Sequence, residues 1–242
     1  MKKIMILSGA GLSAESGIST FRDNDGLWEK YNVMDVCSTQ GWIKDRKLVT
    51  QFYNDRRREL EFKEPNHAHK VLAQLEHDYR GRIIHLTQNV DNLMEKAGAK
   101  DLIHLHGTLS DLRCEACTET FNIGYVAQEA NKQCPYCGNK RIRHNVVMFG
   151  EAAPEYKHIS QAIRECTLFI AIGTSGAVVN IVNIAKEFKN TVLIDPQRQE
   201  IKSTFSSHNY IDEYFEHFIQ KKASEAMDDM LSIIHEHMKG RF

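Results

Sequence analysis

Two Cys-x-x-Cys pairs, Cys114 with Cys117 and Cys134 with Cys137, stand sixteen residues apart, the second written Cys-Pro-Tyr-Cys-Gly. Paired knuckles of this kind wrap four thiolates tetrahedrally around one Zn²⁺ and leave no position for water or substrate, so the metal they hold is structural. A lobe built around them needs its metal to fold. The other two of the six cysteines, Cys37 and Cys166, stand alone and read as small buried hydrophobes. In an intracellular chain of ordinary size, thiols at this spacing point to metal before disulfides.

A chain of 242 residues with 42% apolar content supports one main core and a small accessory lobe. Charged residues nearly cancel, to a net charge of -1, so no global field draws the chain to nucleic acid or to anionic lipid. Neither is expected as a partner, and a monomer is favoured. The opening Met1-Lys2-Lys3 with Ile4 to Leu7 is cut short by Ser8 and Gly9, far too soon for a secretory signal. No later stretch reaches the roughly 18 apolar residues of a membrane helix, so a cytoplasmic location is expected.

Short β-branched runs at Ile4–Leu7, Ile83–Thr87, Thr167–Ile172 and Thr191–Ile194 read as parallel core strands. Between them lie helical patterns: His67–Leu75 places Ala68, Val71, Leu72 and Leu75 on one face, and Val178–Phe188 is similarly periodic. This alternation predicts an α/β fold, a Rossmann-like doubly wound parallel sheet. Asp23–Pro65, helical in pattern, and Leu112–Arg143, with the cysteines, interrupt it. They predict a small lobe over about 24–65 and 112–143, inserted in a large lobe over about 1–23, 66–111 and 144–242, in one catalytic domain. The cleft between the lobes is the natural ligand site.

The first strand runs into Gly9-Ala10-Gly11-Leu12-Ser13-Ala14, a G-x-G-x-x-A dinucleotide pattern in the strand-before-helix context it requires, although glycine turns are also common simply as turns. An ordinary dehydrogenase would follow it with a second strand ending in an acid about 20 residues on. The chain instead gives Ser16 to Asp23, with no strand, which counts against hydride transfer. Two further strand ends carry polar groups, Thr87-Gln88-Asn89-Val90-Asp91 and His104-Leu105-His106-Gly107. Ligands of open α/β sheets bind at such ends, where an amide, a carboxylate and an imidazole orient substrate and move protons. Taken singly, each reads first as a loop Asx cap or a hydrogen-bonded histidine.

Together these segments resemble the sirtuin family of NAD-dependent protein deacylases. The match also takes in Phe21-Arg22, Leu105-His106-Gly107, Val146-Val147-Met148-Phe149-Gly150-Glu151 and Gly173-Thr174-Ser175. The resemblance implies a co-substrate NAD, one structural zinc, and acyl-lysine proteins or peptides as partners, with nicotinamide, free lysine and an O-acyl-ADP-ribose as products. It implies that His106 is the general base and that Asn89 and Asp91 hold the nicotinamide ribose. Gly9, Ala10, Gly11, Ser13, Ala14, Ile18, Phe21, Arg22, Gln88, Gly173, Thr174, Ser175 and Asp195 would contact the cofactor. Val147, Phe149, Gly150 and Glu151 would pair with the substrate as an added strand. The chain departs from the family at Met148, where tryptophan is usual, at Asp195, where asparagine is usual, and at His104, where glutamate is usual.

Tyr53 and Arg56, three apart on a helical pattern, share a face. A phenol beside a guanidinium suits an acyl chain ending in carboxylate. The pair resembles the Tyr-x-x-Arg signature of class III sirtuins, which implies removal of succinyl and malonyl as well as acetyl groups. Against this, Arg56, Arg57 and Arg58 form a charge run of the kind that usually faces solvent. A plain deacetylase, a protein ADP-ribosyltransferase working from the same pocket, and a zinc-ribbon interaction module are the other readings.

Overall fold

A computed structural model describes residues 2–18, 31–201 and 210–240. Six parallel strands form the main sheet: β1 (Ile4–Ser8), β2 (Ile83–Thr87), β3 (Leu102–His104), β7 (Leu168–Ile172), β8 (Asn190–Ile194) and β9 (His217–Ile219), in the order β3-β2-β1-β7-β8-β9. Successive residues of a strand face opposite sides. In β1, Ile4 and Ile6 join the core under the helices His67–Asp78 and Met227–Met238, while Met5 and Leu7 join the core under Lys157–Glu165 and Ile181–Ala185. Both faces are apolar, and the strand is wholly buried, as helices on both sides require. The strand order reverses between β1 and β7, the switch point where such sheets open a crevice.

A second sheet is antiparallel, in the order β5-β4-β6, from β4 (Gly107–Cys114), β5 (Thr120–Asn122) and β6 (Ile142–Val146), with an irregularity between Thr108 and Leu112. The segment before it is helical, as its pattern predicts: Val33–Val36, Thr39–Lys44 and Arg46–Glu61. The long helix starts where the Asp45 side chain accepts from Leu48 N, and it packs Val49, Phe52, Tyr53 and Leu60 against Leu109, Val146 and Met148. The cysteines have only a minute core, Leu112 and Ile142 with Cys114 and Cys134. The helix expected over Val178–Phe188 is confined to Ile181–Ala185, because Asn180 caps it by accepting from Asn183 N. Among the described residues no helix is long and apolar enough to cross a membrane.

Candidate active site

The turns after β1 and β7 touch. Gly9 N donates to Ile172 O and Gly11 N to Gly173 O, both at 2.9 Å, and a Cβ on Gly11 would lie 2.6 Å from Gly173 Cα. Gly173 holds φ +59° and has the same conflict in reverse. Leu12 N and Ser13 N close onto Gly9 O and Ala10 O, so the helix expected here is the single turn Gly11–Ala14. These glycines serve close packing of two strand ends.

On that base stands a cavity of about 400 Å³. Ala10, Ser13, Ile18, Gln88, Asn89, Asp91 and His106 line it, together with Tyr53, Arg56, Val147, Met148, Phe149, Gly150 and Glu151. Thr174 reaches it indirectly, accepting from Gln88 Nε2 at 2.9 Å. Ala14 faces solvent, and Ser175 and Asp195 lie outside the lining; Asp195, at the end of β8, accepts from Gln197 N at 2.9 Å. Phe21 and Arg22 fall outside the described residues.

Ser13, Asn89, Asp91 and His69 form one hydrogen-bonded network. His69 Nδ1 accepts from Asn66 N, so its Nε2–H donates to Ser13 Oγ at 3.3 Å. Ser13 Oγ also accepts from Asn89 Nδ2 at 3.1 Å and donates to Asp91 Oδ2 at 2.9 Å. Asn89 Nδ2 donates to Gly9 O as well, at 3.1 Å. Asp91 additionally accepts from Leu93 N. Burial raises its pKa, while these donors pull the other way.

His106 sits where the chain leaves β3 for β4. Its Nδ1 meets Gln88 O at 3.0 Å, a carbonyl that can only accept, so the proton is on Nδ1 and Nε2 accepts from the Tyr156 hydroxyl at 2.9 Å. Burial lowers its pKa, outweighing the raising effect of Gln88 O, and keeps the ring neutral near pH 7. His104, two residues earlier, meets Asn89 O at 2.8 Å and Glu95 Oε1 at 2.7 Å. Burial acts to lower its pKa, but the Glu95 carboxylate prevails and raises it. Two acceptors at both ring nitrogens call for the imidazolium.

Tyr53, 5% exposed, stacks its ring on His144 at 3.8 Å. Burial raises its pKa well above the usual value, so it is a phenol and a donor. Arg56 enters the same cavity, its guanidinium carbon 5.9 Å from the Phe52 ring, with its pKa lowered by burial. Burial likewise raises the Cys37 thiol beside Tyr53. Glu151 turns back to accept from Arg143 Nη2 at 2.6 and 2.8 Å and from Met148 N at 2.9 Å, which sets the strand-like edge Val147–Gly150. Val147 N donates to His106 O and Phe149 N to Cys37 O. Tyr156, His69 and Glu95 were not picked out in the sequence; their roles depend on distant partners that no local pattern marks, while Cys37 is buried, as read.

The four cysteine sulfurs lie within 4.8 Å of one another. A tetrahedral Zn²⁺ with bonds of about 2.3 Å has edges of about 3.8 Å. The Cys114–Cys137 and Cys117–Cys134 sulfurs are 3.7 and 3.6 Å apart, too far for disulfides and right for that ion. The cavity, in turn, has the size of a small-molecule site, with a few convergent polar groups, and fits the nicotinamide ribose end of a dinucleotide.

Comparison with known proteins agrees. An NAD-dependent protein deacylase of Campylobacter jejuni is 52% identical over 193 residues, covering 80% of this chain and 82% of that one. One of Helicobacter hepaticus is 42% identical over 204 residues, covering 76% and 79%. A mutant Sir2 homologue in complex with ADP-ribose superposes with a TM-score of 0.82 at 30% identity, covering 98% of this chain and 94% of that one. A Sir2 homologue in complex with NAD gives 0.81 at 30% identity, covering 98% and 90%. With residues 9–180 matching the Sir2 family and relatives this similar over most of its length, the chain belongs to that family, the sirtuins.

Proposed function

We propose that this chain is an NAD-dependent protein-lysine deacylase that accepts acetyl groups and prefers acidic ones, succinyl and malonyl. One observation carries the reading: Ser13, Asn89, Asp91 and His106 line the same cavity as Tyr53 and Arg56. NAD⁺, when bound, supplies an electrophilic ribose carbon with nicotinamide as leaving group. Asn89 and Asp91 hold that ribose, their side chains fixed in turn by Ser13. Neutral His106 accepts a proton at Nε2, the atom to which the Tyr156 hydroxyl donates. Gly9, Ala10, Gly11, Ala14, Ile18, Gln88, Gly173, Thr174, Ser175 and Asp195 form the surrounding cofactor surface, with Phe21 and Arg22 assigned to it by family resemblance. The edge Val147, Phe149, Gly150 and Glu151 takes the substrate as an added strand, which gives affinity with little choice of sequence. Tyr53 and Arg56 receive the carboxylate of an acidic acyl group, the guanidinium by its planar fork. Cys114, Cys117, Cys134 and Cys137 hold one zinc that takes no part in the reaction.

The test is to mix the protein with NAD⁺ and matched acetyl-, succinyl- and malonyl-lysine peptides and identify products by mass spectrometry. Nicotinamide, deacylated peptide and O-acyl-ADP-ribose are expected, fastest with the acidic groups. Equal or faster turnover of acetyl peptide would make the enzyme a plain deacetylase, and protein gaining ADP-ribose without peptide deacylation would make it a transferase.

A further inference from the structure

The turn of helix that presents Tyr53 and Arg56 to the cavity carries a second pair, Asn54 and Arg57, one residue further round. Asn54 grips the backbone of Gln128, in the loop between the two cysteine pairs: its Oδ1 accepts from Gln128 N at 2.8 Å and its Nδ2 donates to Gln128 O at 3.1 Å. The same Oδ1 accepts from Arg57 Nη1 at 2.9 Å, and Arg57 Nε donates to Leu109 O in β4 at 2.5 Å. Gln128 continues the link, donating from Nε2 to Ile142 O at the start of β6. From β6, His144 meets the Tyr53 ring.

Arg57 is 1% exposed, and its Nη2 has no partner among the described residues. A buried guanidinium with an orphaned N–H group is a poor stabiliser, and an apolar side chain of similar shape would do better. Its bond to Leu109 O, together with the two bonds between Asn54 and Gln128, nevertheless ties the rotation of the helix about its axis to the neighbouring sheet. Rotation matters here because Tyr53 and Arg56 reach the cavity only from one face.

We propose that Asn54 and Arg57 are positioning residues for acyl-group selection, using the cysteine-bearing sheet as a reference frame that sets where Tyr53 and Arg56 stand in the cavity. The proposal rests on the reading that those two side chains receive an acidic acyl group. Neither Asn54 nor Arg57 lines the cavity, so each acts through its neighbours. An acetyl group, with no charged end to align, is insensitive to a small rotation of the helix.

The experiment compares kcat/KM for succinyl- and acetyl-lysine peptides of one sequence in the zinc-loaded full chain, its Asn54→Ala, Asn54→Asp and Arg57→Met variants, with melting curves for each. Asn54→Ala and Arg57→Met should lower the succinyl-to-acetyl ratio about tenfold, the effect of misaligning one charge-assisted hydrogen bond. Asn54→Asp keeps both accepted bonds but turns a carboxylate oxygen toward Gln128 O, acceptor against acceptor, so it should lower the ratio in the same direction by less; if the other two fail to fold, a wild-type ratio in this variant overturns the proposal. A folded Asn54→Ala protein with the wild-type ratio overturns the proposal, as does a parallel fall with both peptides. A wild-type enzyme with no preference for succinyl defeats instead the reading of Tyr53 and Arg56 beneath it.

Discussion

Replacing Tyr53 by Phe and Arg56 by Met should turn the enzyme into a deacetylase. Tyr53→Phe removes one hydroxyl and leaves the ring against His144 at 3.8 Å. Arg56→Met keeps an unbranched stem near the Phe52 ring while deleting the fork. The cavity around them is largely apolar, and burial already depresses the Arg56 guanidinium, so that cation gains much from a carboxylate in the same place. A hydrogen bond to a charged partner contributes about 1.5–3 kcal/mol, or roughly 10- to 100-fold in kcat/KM for each bond lost. Two or more such bonds, not fully additive, give a succinyl kcat/KM at least about 100-fold lower, with the acetyl value within about threefold of wild type. Initial rates of nicotinamide release with matched peptides decide the matter. An equal fall with both peptides would refute the assignment, because it would place the two side chains in the general machinery of catalysis.

His106→Tyr should keep the fold and zinc content yet stop nicotinamide release; normal turnover would exclude this residue as base. Gly173→Ala places a Cβ 2.6 Å from Gly11 backbone at a φ of +59°, an overpacking conflict worth about 1–3 kcal/mol, and calorimetry should find NAD⁺ binding weaker by about 5- to 100-fold. Unchanged affinity would show that the two turns do not set the cofactor surface. Burial holds the His69 imidazole down to about 4 from an ordinary 6.5, so the folded state favours its neutral form. That contribution to stability is complete above pH 6.5 and is lost as pH falls toward 4, and melting temperatures across this window should decline less steeply in His69→Gln. A variant with the wild-type slope would assign the acid sensitivity elsewhere. Chelation should release one zinc per chain and lower the melting temperature, the cysteine sulfurs having almost no apolar core to hold them; a metal-free protein that melts unchanged would contradict a structural role.

The strands were legible because burial on both faces leaves continuous β-branched runs, and β2 has the bounds its sequence predicts, Ile83–Thr87. The polar groups after those runs were legible as a cluster only: singly, a carboxamide, a carboxylate or an imidazole there is a loop cap or a hydrogen-bonded side chain, and the structure does bring Asn89, Asp91 and His106 to one cavity. The arginine run was not. Residues on a helix turn about 100° each, so three consecutive arginines part company. Arg56 enters the cavity, Arg57 is buried against β4, and Arg58 pairs with Asp55 on the surface. Composition records three like charges and cannot say which face each takes. His104 was likewise opaque, since its ties to Glu95 and Asn89 depend on how the β3 end packs against another loop.

His106 lies one residue before β4, at the passage of the chain from the six-stranded sheet into the three-stranded one. The residue proposed as base therefore belongs to neither half. A chimera that joined this cysteine-bearing half to another nucleotide-binding scaffold would have to choose a splice point, and any choice near here either carries the imidazole away from Gln88 O or parts it from its own downstream strand. Engineering of this enzyme will go more easily in the peripheral helices than by exchange of halves.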